Sequence, residues 1–285
     1  MRADIIRRLM ALALSLVMII LTVAAPDTYA APGDSSGDEL SEFTISSADE
    51  FHEIMDNCID AHWSKGKCIN LDADISFEAG DFVSIPYFAG ELNGKGHTIS
   101  GVNIEETISV TGLFSECTKT AYIHDLTVKG DINPDGNPDS VGGIVGRNSG
   151  RIKNCTFRGT ISGYSNVGGI VGINTKNGEV SGCVNYGAVS GSEKAGGIAG
   201  TNKGAVKVSF NLGNVNTGEP DTIVTIDDLA ENLSDFSLNK IINDVNEPGT
   251  STNVGGIAGY NSGTIEQCTN SADVGYNYMG YNIGG

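Results

Sequence analysis

From Gly112 to the end of the chain, apolar and polar positions recur in a fixed frame around a glycine string. Val141–Gly146 (VGGIVG) returns at Val167–Gly172 (VGGIVG), Ala195–Gly200 (AGGIAG) and Val254–Gly259 (VGGIAG), and starts again at Asn282–Gly285 (NIGG). The apolar residues around each string fall into columns. One reads Ile123, Ile152, Val180, Val206, Ile265; another, three residues further on, reads Leu126, Cys155, Cys183, Ser209, Cys268. β-Branched and small residues suit short strands that stack on their equivalents at the ~4.8 Å spacing of parallel pairing. A period of between about 20 and 30 residues, too short for the ~40-residue blade of a propeller, predicts a β-solenoid. The general rule for parallel crossovers makes it right-handed.

A third column, Asn148, Asn174, Asn202, Asn261, places an amide at one turn of every coil. Stacked Asn side chains bond along such an array and tolerate left-handed backbone, so an Asn ladder is expected there. The glycines that follow, Gly150, Gly178, Gly204 and Gly263, are expected to take a positive φ. Ahead of the repeats, Ser47-Ala48-Asp49-Glu50 reads as a capping box. Phe51, Ile54, Met55, Cys58 and Ile59 then follow at helical spacing, predicting an amphipathic helix to about His62 inside an N-terminal cap, 43–66. After Gly66 short strands begin, His97–Val102 with clean alternation. The long interval between the third and fourth strings holds an insertion at about 221–250, partly helical by its spacing of Leu229, Leu233, Phe236 and Ile241. The expected class is all-β: a right-handed parallel β-helix over 67–285, with a capping helix, a partly helical insertion and a C-terminus inside a repeat.

Composition sets the compartment and excludes some partners. Arg2, Arg7 and Arg8 precede an apolar run, Leu9–Ala25, and Thr28-Tyr29-Ala30 offers a cleavage site, so residues 1–30 read as an export leader. The run is also about as long as a short membrane anchor; either way the remainder lies outside the cytoplasm. Residues 31–42 are polar and acidic and read as a disordered linker. A net charge of −18 argues against nucleic acid and against anionic membrane surfaces, which need a basic footprint. An extracellular protein or glycan ligand is compatible with it. Six cysteines sit in this exported chain. Cys58 and Cys68 are the one pair placed for a local disulfide, whereas Cys155, Cys183 and Cys268 share one repeat position and read as small buried side chains.

Candidate chemistry is sparse. The acidic loop Asp131, Asn133, Asp135, Asp139, with Gly136, echoes a calcium loop in its oxygen spacing. Gly142 stands where that loop needs a bidentate Glu, and Pro134 and Pro138 restrict wrapping, so a solvated turn between coils is the alternative reading. His52-Glu53-Ile54-Met55-Asp56 has Asp where a zinc-binding HExxH needs its second His. Lys153 and Lys207 align on one face without a recurring carboxylate pair. Glu105-Glu106 is a pair in sequence only, and His97 and His124 have no nucleophile at recognisable spacing. Tyr260, Tyr276, Tyr278 and Tyr281 crowd the C-terminus, where they either fill the last coils or face a ligand. No catalytic or cofactor-binding constellation is found, and calcium is the one cofactor raised.

The units resemble the GLUG motif, a repeat of exported bacterial proteins. Thr111–Ser115 (TGLFS) stands nearest the motif's name, and VGGIVG and AGGIAG are similar to its common variants. Glu91–Ile104 (ELNGKGHTISGVNI) resembles the family's lead-in, with Asn93 in place of a frequent Asp. The resemblance spans about Phe43 to Gly285. It implies an exported surface or secreted repeat protein, non-catalytic, acting as stalk or adhesin-like scaffold. Similar repeats occur in non-catalytic N-terminal regions of immunoglobulin-A-protease-type metallopeptidases, so the non-catalytic N-terminal part of a larger exported metallopeptidase is the other expectation, with a carbohydrate-active β-helix enzyme as a further alternative.

Overall fold

The computed structural model describes residues 41–60, 63–106, 108–217, 253–275 and 283–284. The leader, the linker up to residue 40, the insertion at 221–250, His62, and Tyr276, Tyr278 and Tyr281 lie outside them.

The columns become the walls of a β-solenoid. Strands run in parallel in three sheets, and each coil contributes to all three in turn. In one coil Val145–Asn148 belongs to the six-stranded sheet, Arg151–Lys153 to the eight-stranded sheet and Thr156–Gly168 to the twelve-stranded sheet. Val171–Asn174 then opens the next coil directly on Val145–Asn148. Ile152 pairs with Ile123 on one side and Val180 on the other, and the column continues through Val206 to Ile265. Upstream it extends through Leu92 to Ile69 and Phe43, before the glycine strings begin. Register follows the period-two pattern: the column from Ile69 to Val206 points inward and is fully buried, Ile265 and Phe43 at its ends are half-buried, and the neighbours point out.

The glycine string is explained by space. A Cβ on its second glycine would meet the inward side chain of the next sheet: Phe157 at 2.5 Å from Gly143, Asn185 at 2.3 Å from Gly169, Asn211 at 2.1 Å from Gly197 and Asn270 at 2.4 Å from Gly256. A Cβ on the first glycine would meet the carbonyl three residues on, as at Gly168, where it would stand 2.1 Å from Val171 O. These residues mark close approach rather than unusual torsions. The same holds for Gly150, Gly178, Gly204 and Gly263, which do not take the expected positive φ. A Cβ on Gly204 would meet Gly178 O at 2.1 Å, because successive turns stack backbone on backbone.

A recurring left-handed torsion sits instead at the corner between the eight- and twelve-stranded sheets. Asp125, Asn154, Gly182, Val208 and Gln267 occupy it in successive coils, with φ of 53°, 53°, 64°, 47° and 53°. Beyond the corner lies the Cys/Ser column. Cys155 Sγ donates to Lys153 O at 3.3 Å, Cys183 to Ser181 O at 3.4 Å, Ser209 Oγ to Lys207 O at 2.9 Å and Cys268 Sγ to Glu266 O at 3.3 Å. From Cys155 on, the column carries a small donor that closes the corner, so Ser209 replaces Cys without breaking the pattern, while Leu126 one coil earlier fills the same place without a donor.

The N-terminal end differs from expectation in two ways. Ser41–Ile45 is a strand pairing with Lys67–Leu71, so the first sheet begins inside the segment read as linker and cap. The helix is Ala48–Asn57, ending at Cys58 rather than near His62. Glu50 N donates to Ser47 Oγ at 3.2 Å, and Glu50 Oε2 accepts from Ser46 N at 2.7 Å, one residue earlier than a reciprocal box would have it. Phe51, Ile54 and Met55 are buried on the helix face that joins the solenoid core, and Phe51 meets Phe77 edge-on at 5.6 Å.

Candidate functional site

The interior polar groups form two ladders, of which the sequence reading anticipated one. Asn148 Nδ2 donates to Asn174 Oδ1 at 3.0 Å, Asn174 to Asn202 at 2.9 Å and Asn202 to Asn261 at 2.8 Å. On the twelve-stranded sheet Asn185 Nδ2 donates to Asn211 Oδ1 at 2.9 Å, and Asn211 to Asn270 at 2.7 Å. Each rung also clamps its own turn: Asn185 Nδ2 reaches Gly187 O, and Gly187 N returns to Asn185 Oδ1, both at 2.9 Å. The signal for the second ladder is the Asn two residues past the Cys/Ser column, in VNYG, FNLG and TNSA. These amides are structural: Asn148, Asn174, Asn185, Asn202 and Asn211 are fully buried and bond within the stack.

The acidic loop does not gather. Asp131 Oδ1 accepts from Thr160 N at 3.0 Å and Thr160 Oγ1 at 2.7 Å, and Asn133 Nδ2 donates to Thr160 Oγ1 at 3.3 Å. Asp139 Oδ2 accepts from Ser109 Oγ at 2.6 Å, on the coil at the other side. Asp135 is tied by its backbone N–H to Glu105 O at 3.0 Å. Asp131, Asn133, Asp135 and Asp139 thus bond to neighbouring coils rather than converge on a cation. Among the described residues no group of three His, Cys, Asp or Glu is placed to hold a metal.

All six cysteines are free thiols. Cys58, at the helix C-terminus, is fully buried, whereas Cys68 lies on the outward row beside inward-facing Ile69, so the local disulfide is not formed. Burial pushes the Cys58 thiol up to about 11, and burial holds Cys117 and Cys155 well above the ordinary thiol range. Buried protonated thiols are poor nucleophiles.

The densest outward cluster surrounds His124. Its Nδ1 lies 2.7 Å from Asp125 Oδ2 and its Nε2 3.0 Å from Glu91 Oε1, one coil earlier. The ring stacks on Tyr122 with centroids 4.3 Å apart, and Arg151 of the following coil lies 4.4 Å from the Tyr122 centroid. Burial pulls the imidazole down, but hydrogen bonds and charge from Asp125 and Glu91 outweigh it and lift His124 to about 8. Both ring nitrogens face carboxylates, so neither is left to take a proton from a nucleophile. The cluster ties three coils together. His52, in the segment tested against HExxH, contacts Asp81 O through Nε2 at 3.0 Å.

The family model for the GLUG motif matches residues 137–162 and 250–275, two segments that each hold one glycine string and one ladder Asn of the six-stranded sheet. The chain carries GLUG motifs. Halomucin of Haloquadratum walsbyi (strain DSM 16790 / HBSQ001) is 33% identical over 138 residues, which cover 44% of this chain and 2% of that protein. The chain therefore spans a very small part of the length of the curated relative it matches. Among solved structures, the crystal structure of a candidate immunoglobulin A1 protease from Bacteroides ovatus superposes with a TM-score of 0.50 at 17% identity, over 86% of this chain and 84% of that one. At that identity the likeness is one of fold. The GLUG strings, the Asn ladder and the corner are thus parts of one repeating structural unit.

Proposed function

We propose that this chain is the non-catalytic GLUG solenoid of an exported protein, working as a stalk or binding scaffold at the cell surface or in the medium. The observation that carries this reading is the continuous column from Ile69 to Ile265, closed by amide ladders. Such an array presents a long, regular outer surface while its polar interior is satisfied within the stack. The leader-like residues 1–30 support export, and the charge of −18 supports a protein or glycan ligand over nucleic acid. No helix among the described residues is long and apolar enough to cross a membrane. A second reading, the non-catalytic N-terminal part of a larger exported peptidase, is favoured by the shared fold with the Bacteroides ovatus protein.

The test is to express the full chain with its N-terminal segment, sequence the N-terminus of the exported product, and assay it on a glycan array and a peptidase substrate panel. Cleavage after Ala30, together with ligand binding and no turnover, is the expected result. Hydrolysis of any substrate by the isolated chain would overturn the non-catalytic reading, and retention of the product in the cytoplasm would overturn export.

A further inference from the structure

Between residues 79–84 and the segment 103–106, with Ile108 beyond it, lies a cleft of about 360 Å³. Its volume is at the lower end of the range for small-ligand sites. Phe82 and Ile104, both buried, form the floor, and Ile108 and Val83 the walls, with Val83 45% exposed. Glu105, Glu106 and Asp131 complete the lining, which includes no Lys, Arg or His. Sheet register assembles these carboxylates: Ile104 bridges to Ile132, and Ile104 N donates to Asp131 O at 3.0 Å, so Asp131 arrives beside Glu105 from the following coil. Asn103 Oδ1 accepts from Asp131 N at 3.0 Å and holds that strand end in place. The Glu105 and Glu106 side chains are exposed and have no cationic partner among the described residues.

The cleft thus pairs an apolar floor with a lip of carboxylates. A bare metal ion does not fit it, because no three of its carboxylates are close enough to share one. An anion is repelled, and an uncharged apolar ligand leaves Glu105 and Glu106 without a cationic partner, whereas Asp131 is already held by Thr160. A cation that trails methylene groups satisfies both parts, since the stem lies along apolar surface while the charged head stays at the rim. We propose that this cleft binds a primary ammonium or guanidinium group carried on a short apolar stem, presented either by a free amine or by a basic side chain of a polypeptide. This goes beyond the scaffold reading and stands whether or not the solenoid also binds a glycan.

Calorimetric titration of the full chain at low ionic strength tests it, with cadaverine and a lysine-containing pentapeptide as probes. Pentanol keeps the stem without the charge, and ammonium chloride keeps the charge without the stem. Either probe should bind at one site per chain, with both controls weaker by at least about tenfold. The stronger of the two probes identifies the source. Glu105→Gln with Glu106→Gln should weaken binding about tenfold at unchanged melting temperature, because neither side chain holds the fold together. Glu193→Gln with Glu266→Gln removes the same charge elsewhere and should leave binding unchanged. Val83→Trp should block the cleft while the carboxylates remain. Absence of binding by both probes at millimolar concentration would overturn the proposal, as would equal weakening by the two double variants or unaltered binding in Val83→Trp.

Discussion

Val208 occupies the left-handed corner at φ 47°, and its side chain is 43% exposed. A β-branched residue is strained in that region, at a cost of about 1–2 kcal/mol, whereas Asn adopts it readily and does so at Asn154, one of its equivalents. Val208→Asn should therefore stabilise the protein by about 1 kcal/mol, read as a higher urea midpoint at unchanged slope. His124 carries the second prediction at this scale. Its folded pKa, about 8, lies above the ordinary 6.5, so the cluster's contribution is complete below about pH 6.5 and is lost as pH rises through about 8. Asp125 is shifted down, chiefly by its bond to His124, so its contribution is lost only on acidification below its ordinary range. The urea midpoint should fall between pH 6.5 and just above pH 8, and His124→Gln should flatten that slope. Arg151 and Lys153 of the next coil are the cationic neighbours of this cluster, in register with Tyr122 and His124 across the sheet.

At the scale of the strand and turn, the ladders decide what each coil tolerates. Asn211→Ala removes a bond from Asn185, a bond to Asn270 and both bonds to its own turn at Gly213. Two of these losses leave buried polar groups unpaired, so a destabilisation of about 3 kcal/mol is expected by urea unfolding. Asn270→Ala, at the half-exposed end of the same ladder, should cost about 1 kcal/mol, since water replaces the lost bonds. The ladders also show which parts of the fold could be read in advance. The Ile/Val column and the first Asn column were legible because β-branched aliphatics, or Asn, recur at a fixed place after each glycine string. The left-handed corner was not, because Asp, Asn, Gly, Val and Gln share it and no composition marks it. Gly150, Gly178, Gly204 and Gly263 drew attention to torsion that they do not adopt, while Gly143, Gly169, Gly197 and Gly256 of the strings provide room for Phe157, Asn185, Asn211 and Asn270. The cleft was hidden for another reason: Glu105 and Asp131 are far apart in sequence, and only the pairing of Ile104 with Ile132 brings them together. Spacing within one segment suggested a calcium loop at Asp131–Asp139, but the partners of those residues are one coil away on either side.

Over the whole molecule, the test of a solenoid is whether coils behave as nearest neighbours. Asn148 and Asn174 are 26 residues apart and Asn174 and Asn202 are 28, yet Asn202 bonds Asn261 across 59 with the same geometry. Around that interval Ala195 pairs with Val254 and Val215 bridges to Val274, so register is held on both flanks of residues 218–252. Nothing in the ladder depends on the length of chain between those flanks. Closing a long loop costs little more than closing a short one, about 0.6 kcal/mol per doubling, so the insertion is a minor burden on the last coil. Deleting residues 220–250 gives that coil the length of the one before it, and the deletion variant should unfold in one cooperative transition with a melting temperature within a few degrees of the parent. The same deletion is expected to leave amine binding unchanged, because Glu105, Glu106 and Asp131 lie several coils away and each coil contacts only its neighbours. A deletion variant that melts in two steps, or that loses the pairing of Asn202 with Asn261 by amide exchange, would mean that the inserted segment supports the last coil and that the stack is not held by nearest-neighbour contacts alone.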